Sequence, residues 1–581
     1  MRRSISLLLL LLAACARPAA TPMVLADPAK RAEAERGMVA AAHPEAVAAG
    51  VAMLRQGGNA VDAAVATAFA LSVVEQQMAG LGGGGAMTMW MERQGRAEYL
   101  DFYATAGADS AWAAAPGDSA APGRFVAVPG TVAGLLYALE RHGTLSRDVV
   151  LAPAIRLAEE GFPVHGLLAG AIAANRAKLT RDSAVARIFW PNGAPLQAGD
   201  RLVQPELAAT LRRIAAEGRD GFHRGPVAEA VVRALRADGS AITVADMAAF
   251  TVRERRPLCT SWRGYTLLSA PPPLDGAEVF QTLHMLEAGG IERLGLPSER
   301  ADALALLVGA TRLARADRQG WLGFPDDAAV PAAGMSSDAY ARERLAVLAA
   351  PVSDSAPVGD PWDEERLPVS DACRRLDAYP ATTLPRPTAQ LAEPDGADEQ
   401  AQTTHLSVVD ADRNAVSLTF TAGVAFGSGS WAAGTFMNSA VANFGGPVAN
   451  QRAAGRTPRS TIAPTIVLDA DDVRLVVGSP GSSHIPPAIV STTVHTLVFG
   501  LDPATALAMP RVYPSASSPV VELERGFAPA ALAELRRRGW QLRVAAPVDQ
   551  SFGGVHAILV RKDGTLVGAA DVRRDGVAGG H

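Results

Sequence analysis

The stretch "EQAQTTHLSVVDADRNAVSLTF", Glu399–Phe420, joins a strand pattern to two adjacent threonines. Apolar and polar residues alternate over Thr404–Val409 and again over Ala415–Phe420, and a period of two predicts paired strands around the turn "DADRN". An acidic, proline-rich segment, about 350–402, precedes the hairpin, and its composition predicts poor packing. A threonine at the junction of an exposed segment and a buried strand is a candidate processing site.

Thr403 has the chemistry for such a site. A threonine hydroxyl is weakly acidic and needs an adjacent base before it can attack an amide. The α-amine of an N-terminal threonine is such a base, with a reference pKa of about 8. Attack of the Thr403 hydroxyl on the Gln402 carbonyl, followed by ester hydrolysis, would release that amine. The sequence therefore predicts cleavage between Gln402 and Thr403, with Thr403 as the nucleophile.

Composition narrows the class of protein. The chain has 581 residues, 49% of them hydrophobic and 19% charged, which is typical of a globular protein with two to four domains or one large α/β unit. The net charge of −5 and the lack of a basic patch exclude nucleic acid as a partner. No HExxH spacing occurs, and "DADRN" lacks the glycine and glutamate of a calcium loop. We expect no metal and no cofactor.

The N-terminus indicates export. Two arginines precede the six leucines Leu7–Leu12, a run too short to span a bilayer but suited to a secretory signal. The following "LAAC" resembles a bacterial lipoprotein cleavage box ending at Cys15, so 1–15 would be the signal and Cys15 the lipidated residue. The alternative is an ordinary signal peptide cut near Ala19 or Ala20. Either alternative predicts export. The expected location is the periplasm or, for the lipoprotein, the outer membrane, which the protein would contact only through its lipid anchor.

The remaining chain divides into three predicted parts: a flexible tether over 16–36, a large subunit over 37–402 and a small catalytic subunit over 403–581. Helices are predicted over Glu45–Gln56 and from Ala60 to about Val74, with Asn59 as the cap of the second. The C-terminal part is expected to be rich in strands. Two cysteines remain, and whether they pair is left open: Cys259 and Cys373.

Several segments, in order along almost the whole mature chain, resemble the γ-glutamyltransferase (glutathione hydrolase) family of N-terminal-nucleophile hydrolases. The hairpin "TTHLSVVDADRNAVSLTFT" resembles the region of the family's nucleophile. The other segments are "AAAHPEAVAAGVAMLRQGGNAVDAAVATAFAL", "AGLGGGGAM", "AVPGTVAGL", "LAPAIRLAEEGFPV", "ITVADMAAF", "PPP", "ADR", "RSTIAPTIV", "GSPGSS" and "GAADVRRDG". The resemblance implies an α+β fold, a four-layer αββα sandwich made by the two subunits of one self-cleaved precursor.

The resemblance also implies roles for particular residues. Thr403 aligns with the nucleophile, and Thr421 aligns with the second threonine that hydrogen-bonds it and assists processing. Gly481 and Ser482 align with the pair whose N–H groups form the oxyanion hole, although the family has two glycines there. The serine pair that holds the substrate α-carboxylate in the family corresponds here to Ser460 and Thr461.

Four positions depart from the family pattern where glutamate would be recognised. Tyr103 stands at the position of the arginine that binds the glutamyl α-carboxylate, so a bidentate charge pair is lost. At three positions where the family grips the α-amino group with polar side chains, this chain has Gly423, Ala440 and Asn443. Each lost charged hydrogen bond costs about 1.5–3 kcal/mol, so we expect weak binding of a free γ-glutamyl group.

These departures leave several interpretations open. The pocket would take a less zwitterionic acyl group, or Arg456 or Arg459 would supply the missing charge to a glutathione hydrolase. The substrate is expected to be a small-molecule or peptide amide, and a family acylase or amidase with non-glutamyl specificity is the first alternative function. A rival of another class is a processed but inactive periplasmic binding lipoprotein, which the retained Thr403 and Thr421 disfavour.

Overall fold

The computed structural model describes residues 27–108, 121–387 and 401–581, and two seven-stranded antiparallel sheets form the centre of this part of the chain. Sheet I consists, in spatial order, of Arg31–Ala34, Leu566–Ala570, His556–Val560, Asp472–Gly478, Thr465–Asp469, Tyr265–Ser269 and Leu258–Trp262. Sheet II consists of Val577–Gly580, Met38–Ala41, Ala401–Val409, Ala415–Val424, Gly84–Met91, Arg96–Phe102 and Arg253–Arg255. The hairpin predicted around "DADRN" is confirmed as the two central strands of sheet II.

Alternation along the strand Ala401–Val409 explains how the sheets stack. Leu406 and Val408 are fully buried in the core between sheet II and its helices. Residues of the opposite parity face sheet I: the Ser407 hydroxyl donates to the carbonyl of His556 at 3.0 Å, and the rings of His405 and His556 stack 6.3 Å apart. A one-residue shift would exchange these faces, so the pattern fixes the register.

Helices cover both outer faces, so the predicted four-layer αββα sandwich is confirmed. Ala60–Val74, buried along its whole length, packs on sheet II, and Gly276–Ala288 packs on sheet I. The helices of nine residues or more are Pro44–Arg55, Ala60–Val74, Thr131–His142, Arg147–Glu160, Gly166–Ala174, Pro205–Glu217, Gly225–Ala237, Gly276–Ala288, Ala301–Trp321, Asp338–Ala346, Ile485–Thr493 and Pro529–Arg537. No helix in the described ranges is long and apolar enough to cross a membrane.

The two predicted N-terminal helices are confirmed as Pro44–Arg55 and Ala60–Val74. Asn59 caps the second helix as expected, in a reciprocal capping box with Asp62. The same helix end is fixed from the hairpin turn, because Asp410 accepts a hydrogen bond from the Ala60 N–H at 2.8 Å. The turn that resembles part of a calcium loop therefore has a structural role in joining sheet II to its helix.

The tether expected over 16–36 does not extend through 27–36. Arg31–Ala34 pairs with Leu566–Ala570 as the edge strand of sheet I. Arg31 forms a bidentate ion pair with Asp502, which anchors the strand by a charge that composition alone does not reveal. The predicted signal peptide, with Cys15, lies outside the described residues.

Most of 350–387 is exposed or half-buried and has little regular structure, in line with the poor packing expected over 350–402, but two contacts attach it to the folded body. Trp362 is 6% exposed and packs edge-on against Trp321, with ring centroids 5.8 Å apart. Cys373 forms a disulfide with Cys259 on the edge strand of sheet I, which settles the pairing that the sequence left open. An aromatic anchor and a cross-link hold this segment in spite of its acidic, proline-rich composition. The rest of the predicted linker, 388–400, lies outside the described residues.

Candidate active site

Thr403 lies near the start of a central strand of sheet II, 6% exposed and opposite Thr421 on the neighbouring strand. The register of the two strands shifts between Gln402 and Thr403. Such a β-bulge bends the chain and redirects side chains at that point. The strand therefore becomes irregular at the peptide bond for which cleavage is predicted.

A chain of hydroxyl groups connects Thr403 to that peptide bond. The Thr403 Oγ1 donates to the Thr421 Oγ1 at 3.1 Å, and the Thr421 hydroxyl donates to the Gln402 carbonyl oxygen at 2.7 Å. The Gly423 N–H donates to the Thr421 Oγ1 at 2.8 Å. A hydroxyl can donate once and accept twice, so the capacity of Thr421 is fully used. The donated bond withdraws electron density from the carbonyl that precedes Thr403.

The loop with Gly481 and Ser482 connects the sheet I strand Asp472–Gly478 to the helix Ile485–Thr493, and it contacts the strand Ala401–Val409. Gly481 has φ +128°, and a Cβ there would lie 2.8 Å from the Gly553 Cα, so only glycine fits. Ser482 has φ +48°, a left-handed conformation that costs a residue with a side chain about 1–2 kcal/mol. The two residues predicted to form the oxyanion hole therefore both have positive φ, in a tight turn directly before the helix.

Three of the predicted acyl-pocket residues meet at Tyr103. The Asn443 side-chain amide donates to the Tyr103 hydroxyl at 3.1 Å, and Ser460 also hydrogen-bonds that hydroxyl. Tyr103 is 2% exposed, and burial raises the pKa of its hydroxyl, so the residue is neutral. Thr461 lies next to Ser460 and is half-buried. The side chains that converge on Tyr103 are therefore an amide and a hydroxyl, and neither carries a charge.

Gly423 and Ala440 present no side-chain polar atom. Gly423 has φ +93°, and a Cβ there would lie 2.1 Å from the Ser439 Oγ. Ala440 is 3% exposed, and its methyl group belongs to the same apolar cluster as Tyr103. The expected loss of polar side chains at these two positions is therefore seen in the structure. The Ser439 hydroxyl fills the space beside Gly423, and the methyl group of Ala440 packs in the apolar cluster.

The two arginines considered as substitutes for the missing charge both have partners. The Arg456 guanidinium donates to Asp327 at 2.9 Å and to the carbonyls of Val448 and Gln451. Arg459 donates to the carbonyl of Gln319 at 3.2 Å. The charge of Arg456 is therefore balanced by Asp327, which is 129 positions away in the chain.

Glu75 lies beside the predicted nucleophile and is not among the site residues that the sequence predicted. The Thr404 hydroxyl donates to the Glu75 carboxylate at 2.6 Å, on the face of the strand opposite to Thr403. Burial raises the pKa of Glu75 to about 7, against the lowering effects of Thr404 and Arg574. A glutamate directly after a helix that is buried along its whole length was the available signal, because an ionisable group is rarely buried without a specific partner.

Three buried side chains near the two sheets make structural contacts. His405 is fully buried and bonds the Thr419 hydroxyl at 2.8 Å between the sheets. Asp571 and Arg573 form a buried ion pair at 3.0 Å, which Glu524 extends. Within the described residues, no group of three histidine, cysteine or acidic side chains is placed to hold a metal ion.

Comparisons with known proteins assign the family. Residues 46–581 match the family model described as gamma-glutamyltranspeptidase. The chain is 33% identical to a glutathione hydrolase proenzyme of Escherichia coli, over 96% of this chain and 95% of that one. It is 35% identical to the acylase ACY 1 proenzyme of a Pseudomonas species, over 94% of each. The crystal structure of a cephalosporin acylase from Bacillus halodurans superposes with a TM-score of 0.81, at 26% identity over 96% of this chain and 99% of that one. The protein is therefore a member of the gamma-glutamyltranspeptidase family, which includes both hydrolases of glutathione and acylases.

Proposed function

We propose that the protein is a self-processing N-terminal-threonine amidohydrolase and acyltransferase. The observation that carries the proposal is the hydroxyl chain from Thr403 through Thr421 to the Gln402 carbonyl. The Thr403 hydroxyl and a hydrogen-bond donor thus lie at one peptide bond, where the strand is irregular, and this supports the proposal.

Processing would begin with attack of the Thr403 oxygen on the Gln402 carbonyl carbon. The C–N bond breaks as the ester forms, and the hydroxyl proton passes to the departing amine. Thr421 donates to the carbonyl oxygen on which negative charge develops, and such donors act most strongly where the charge is new. Water then hydrolyses the ester, which leaves a Gln402 carboxylate and a free α-amine on Thr403.

The same threonine would then act on substrate. Its α-amine accepts the hydroxyl proton as the oxygen attacks a substrate amide. The N–H groups of Gly481 and Ser482 stabilise the oxyanion, the amine returns the proton to the leaving group, and an acyl ester remains on Thr403. Water or a second amine takes the acyl group and frees the hydroxyl. Each step uses groups of the protein and the substrate, so the scheme requires neither metal nor cofactor.

The acyl specificity we propose differs from that for a free γ-glutamyl group. Tyr103 and the two side chains that bond it are neutral, so an acyl group with both a carboxylate and an ammonium would lose both charge partners. A less zwitterionic acyl group, such as glutaryl, keeps one polar end that neutral donors can bind. The second candidate is a glutathione hydrolase, and the identity to glutathione hydrolase proenzymes favours it.

A panel of p-nitroanilides tests the function. The purified protein should run on denaturing gels as two bands, the larger ending at Gln402 and the smaller beginning at Thr403. It should release p-nitroaniline faster from the glutaryl than from the γ-glutamyl anilide. Faster release from the γ-glutamyl anilide would favour the glutathione hydrolase. A single uncut band would refute self-processing. Two bands with no activity on any anilide would favour the inactive binding protein.

We also propose that the chain is exported and lipid-anchored through Cys15, on the basis of the N-terminal "LAAC". Expression of the full chain with Cys15→Ala should move the protein from the membrane to the soluble fraction, because lipidation requires the thiol. Equal distribution of the two forms would instead favour an ordinary signal peptide.

A further inference from the structure

Ser439 lies where the nucleophile's strand pair meets the acyl pocket. Its N–H donates at 2.9 Å to the carbonyl of Ala422, in the strand that carries Thr421. Ser439 is also the residue directly before the single helical turn Ala440–Asn443, whose last residue bonds Tyr103. The backbone of Ser439 is thus fixed between the two parts of the site.

The Ser439 hydroxyl occupies the space beside Gly423. A side chain at 423 would begin 2.1 Å from the Ser439 Oγ, so the hydroxyl stands where that side chain would be. The N–H of Gly423 bonds Thr421, whose hydroxyl lies 3.1 Å from that of Thr403. Ser439 is therefore connected to the nucleophile through only two intervening residues.

The hydrogen-bonding capacity of Ser439 is only partly used. The Val424 N–H donates to the Ser439 Oγ at 3.2 Å, which orients the hydroxyl from one side. Within 27–108, 121–387 and 401–581, no acceptor receives its O–H. The residue is 8% exposed, so a bound group can supply the acceptor that the protein does not. An oriented, mostly buried donor without an acceptor is costly unless a ligand completes it.

Ser428 provides a matched contrast in the same region. Its oxygen also accepts a backbone N–H, that of Ser430, at 3.2 Å. Its own O–H, however, already donates to the carbonyl of Met437 at 3.2 Å. Two serines with the same type of backbone anchor therefore differ in whether a donor remains for substrate.

We propose that Ser439 is a specificity-determining residue that donates a hydrogen bond to an acceptor atom on the acyl group of the substrate. The inference rests on the proposed amidohydrolase function and adds a substrate class to it: acyl donors that carry an oxygen acceptor, in preference to plain alkyl acyl groups. With Ser439 and the hydroxyl of Tyr103 on either side, the acyl group contacts neutral donors at both ends of the turn Ala440–Asn443.

The test compares glutaryl and valeryl p-nitroanilides, whose five-carbon acyl groups differ only in a terminal carboxylate. We expect Ser439→Ala to lower kcat/KM for the glutaryl substrate about tenfold, the loss of one hydrogen bond to a charged acceptor. Turnover of the valeryl substrate should change less than about twofold. Ser428→Ala, the control, should leave both unchanged, and Ser439→Thr, which keeps the hydroxyl, should retain most of the preference.

The outcomes separate the inference from the proposed function. If the wild type stays uncut or hydrolyses neither anilide, the proposed function fails and the inference fails with it. If the wild type is cut and active but Ser439→Ala slows both substrates equally, or slows neither, only the inference is overturned. Should Ser439→Ala itself remain uncut, Ser439→Thr decides, because its loss of the glutaryl preference would overturn the inference.

Discussion

Neutral hydroxyl groups form both the nucleophile end of the site and the acyl pocket, but their hydrogen bonds are satisfied to different extents. At the nucleophile end, the Thr421 hydroxyl donates once and accepts twice, and its donated bond ends on the Gln402 carbonyl. In the acyl pocket, Ser439 has a donor that no described residue receives. The first region is complete before any substrate arrives, whereas the second is left for the substrate to complete.

This difference indicates where the protein can change. A hydroxyl whose three hydrogen bonds are all made has no tolerance for substitution, because its loss leaves buried partners unpaired. A pocket with an unused donor can exchange one acyl group for another at the cost of a single contact. We infer that processing and acyl transfer constrain Thr421, and that specificity depends on Tyr103 and Ser439.

The largest effect is expected for Thr403→Ala, which removes the nucleophile of both reactions. The variant should remain a single uncut chain and lose at least about 10⁴-fold in activity, as expected when a covalent nucleophile is deleted. Thr403→Ser keeps the hydroxyl and should still be cut. Gel analysis and p-nitroaniline release measure the two effects, and a cleaved Thr403→Ala would place the scissile bond elsewhere.

Thr421→Val removes the hydroxyl that makes three hydrogen bonds and leaves the shape of the side chain almost unchanged. Loss of the bond to the Gln402 carbonyl should slow processing about 100-fold, comparable to the removal of one oxyanion donor. The time course of precursor disappearance measures this, with Thr421→Ser as the control that retains the hydroxyl. If the variant is cut at the wild-type rate, the hydrogen bonds of the hydroxyl chain do not contribute to processing.

Much of this comparison could be predicted from the sequence. The alternating hairpin follows from a local pattern, which is set by a few neighbours in the chain. The glycine at 481 and the residues around Tyr103 follow from the family resemblance. The contacts of Glu75 and Ser439 could not be found in this way. Their partners, Thr404 and Gly423, are brought to them only by the folding of sheet II.

The segment 351–387 shows a second limit of prediction from composition. Its composition predicts an exposed linker, yet Trp362 and the Cys373–Cys259 disulfide attach it to the folded body. Composition averages over many residues, whereas two anchors are enough to order a chain when the surface that they meet is already folded. The N-terminal strand Arg31–Ala34 was missed for the same reason.

Glu75 should give the nucleophile end a pH dependence. Its pKa is about 7 in the folded protein against an ordinary value of 4.5, so the folded state holds the proton more tightly. The resulting stability is fully present below pH 4.5 and is lost as the pH rises through 7, in total about 3 kcal/mol. We expect the melting temperature of the wild type to fall relative to Glu75→Gln between pH 5 and pH 7.5.

Glu365 is the control for this measurement, because burial also raises its pKa to about 7, far along the chain in the disulfide-bonded segment. Glu365→Gln should remove a similar dependence of the melting temperature on pH. It should not alter processing, because cleavage depends on the surroundings of Thr403. If the melting temperatures of the wild type and Glu75→Gln changed in parallel between pH 5 and pH 7.5, Glu75 would already be ionised in the folded protein.

The smallest effect is expected in the acyl pocket, for Tyr103→Phe. The variant removes only the hydroxyl that bonds Asn443 and Ser460, so KM for the glutaryl anilide should rise about fivefold while processing is unaffected. Tyr99→Phe is the matched control, since the buried Tyr99 hydroxyl has no hydrogen-bond partner among the described residues. If Tyr103→Phe slowed processing as much as Thr421→Val, the two regions would form a single network. A change confined to KM would establish that the substrate, rather than the precursor, completes the hydrogen bonds of the pocket.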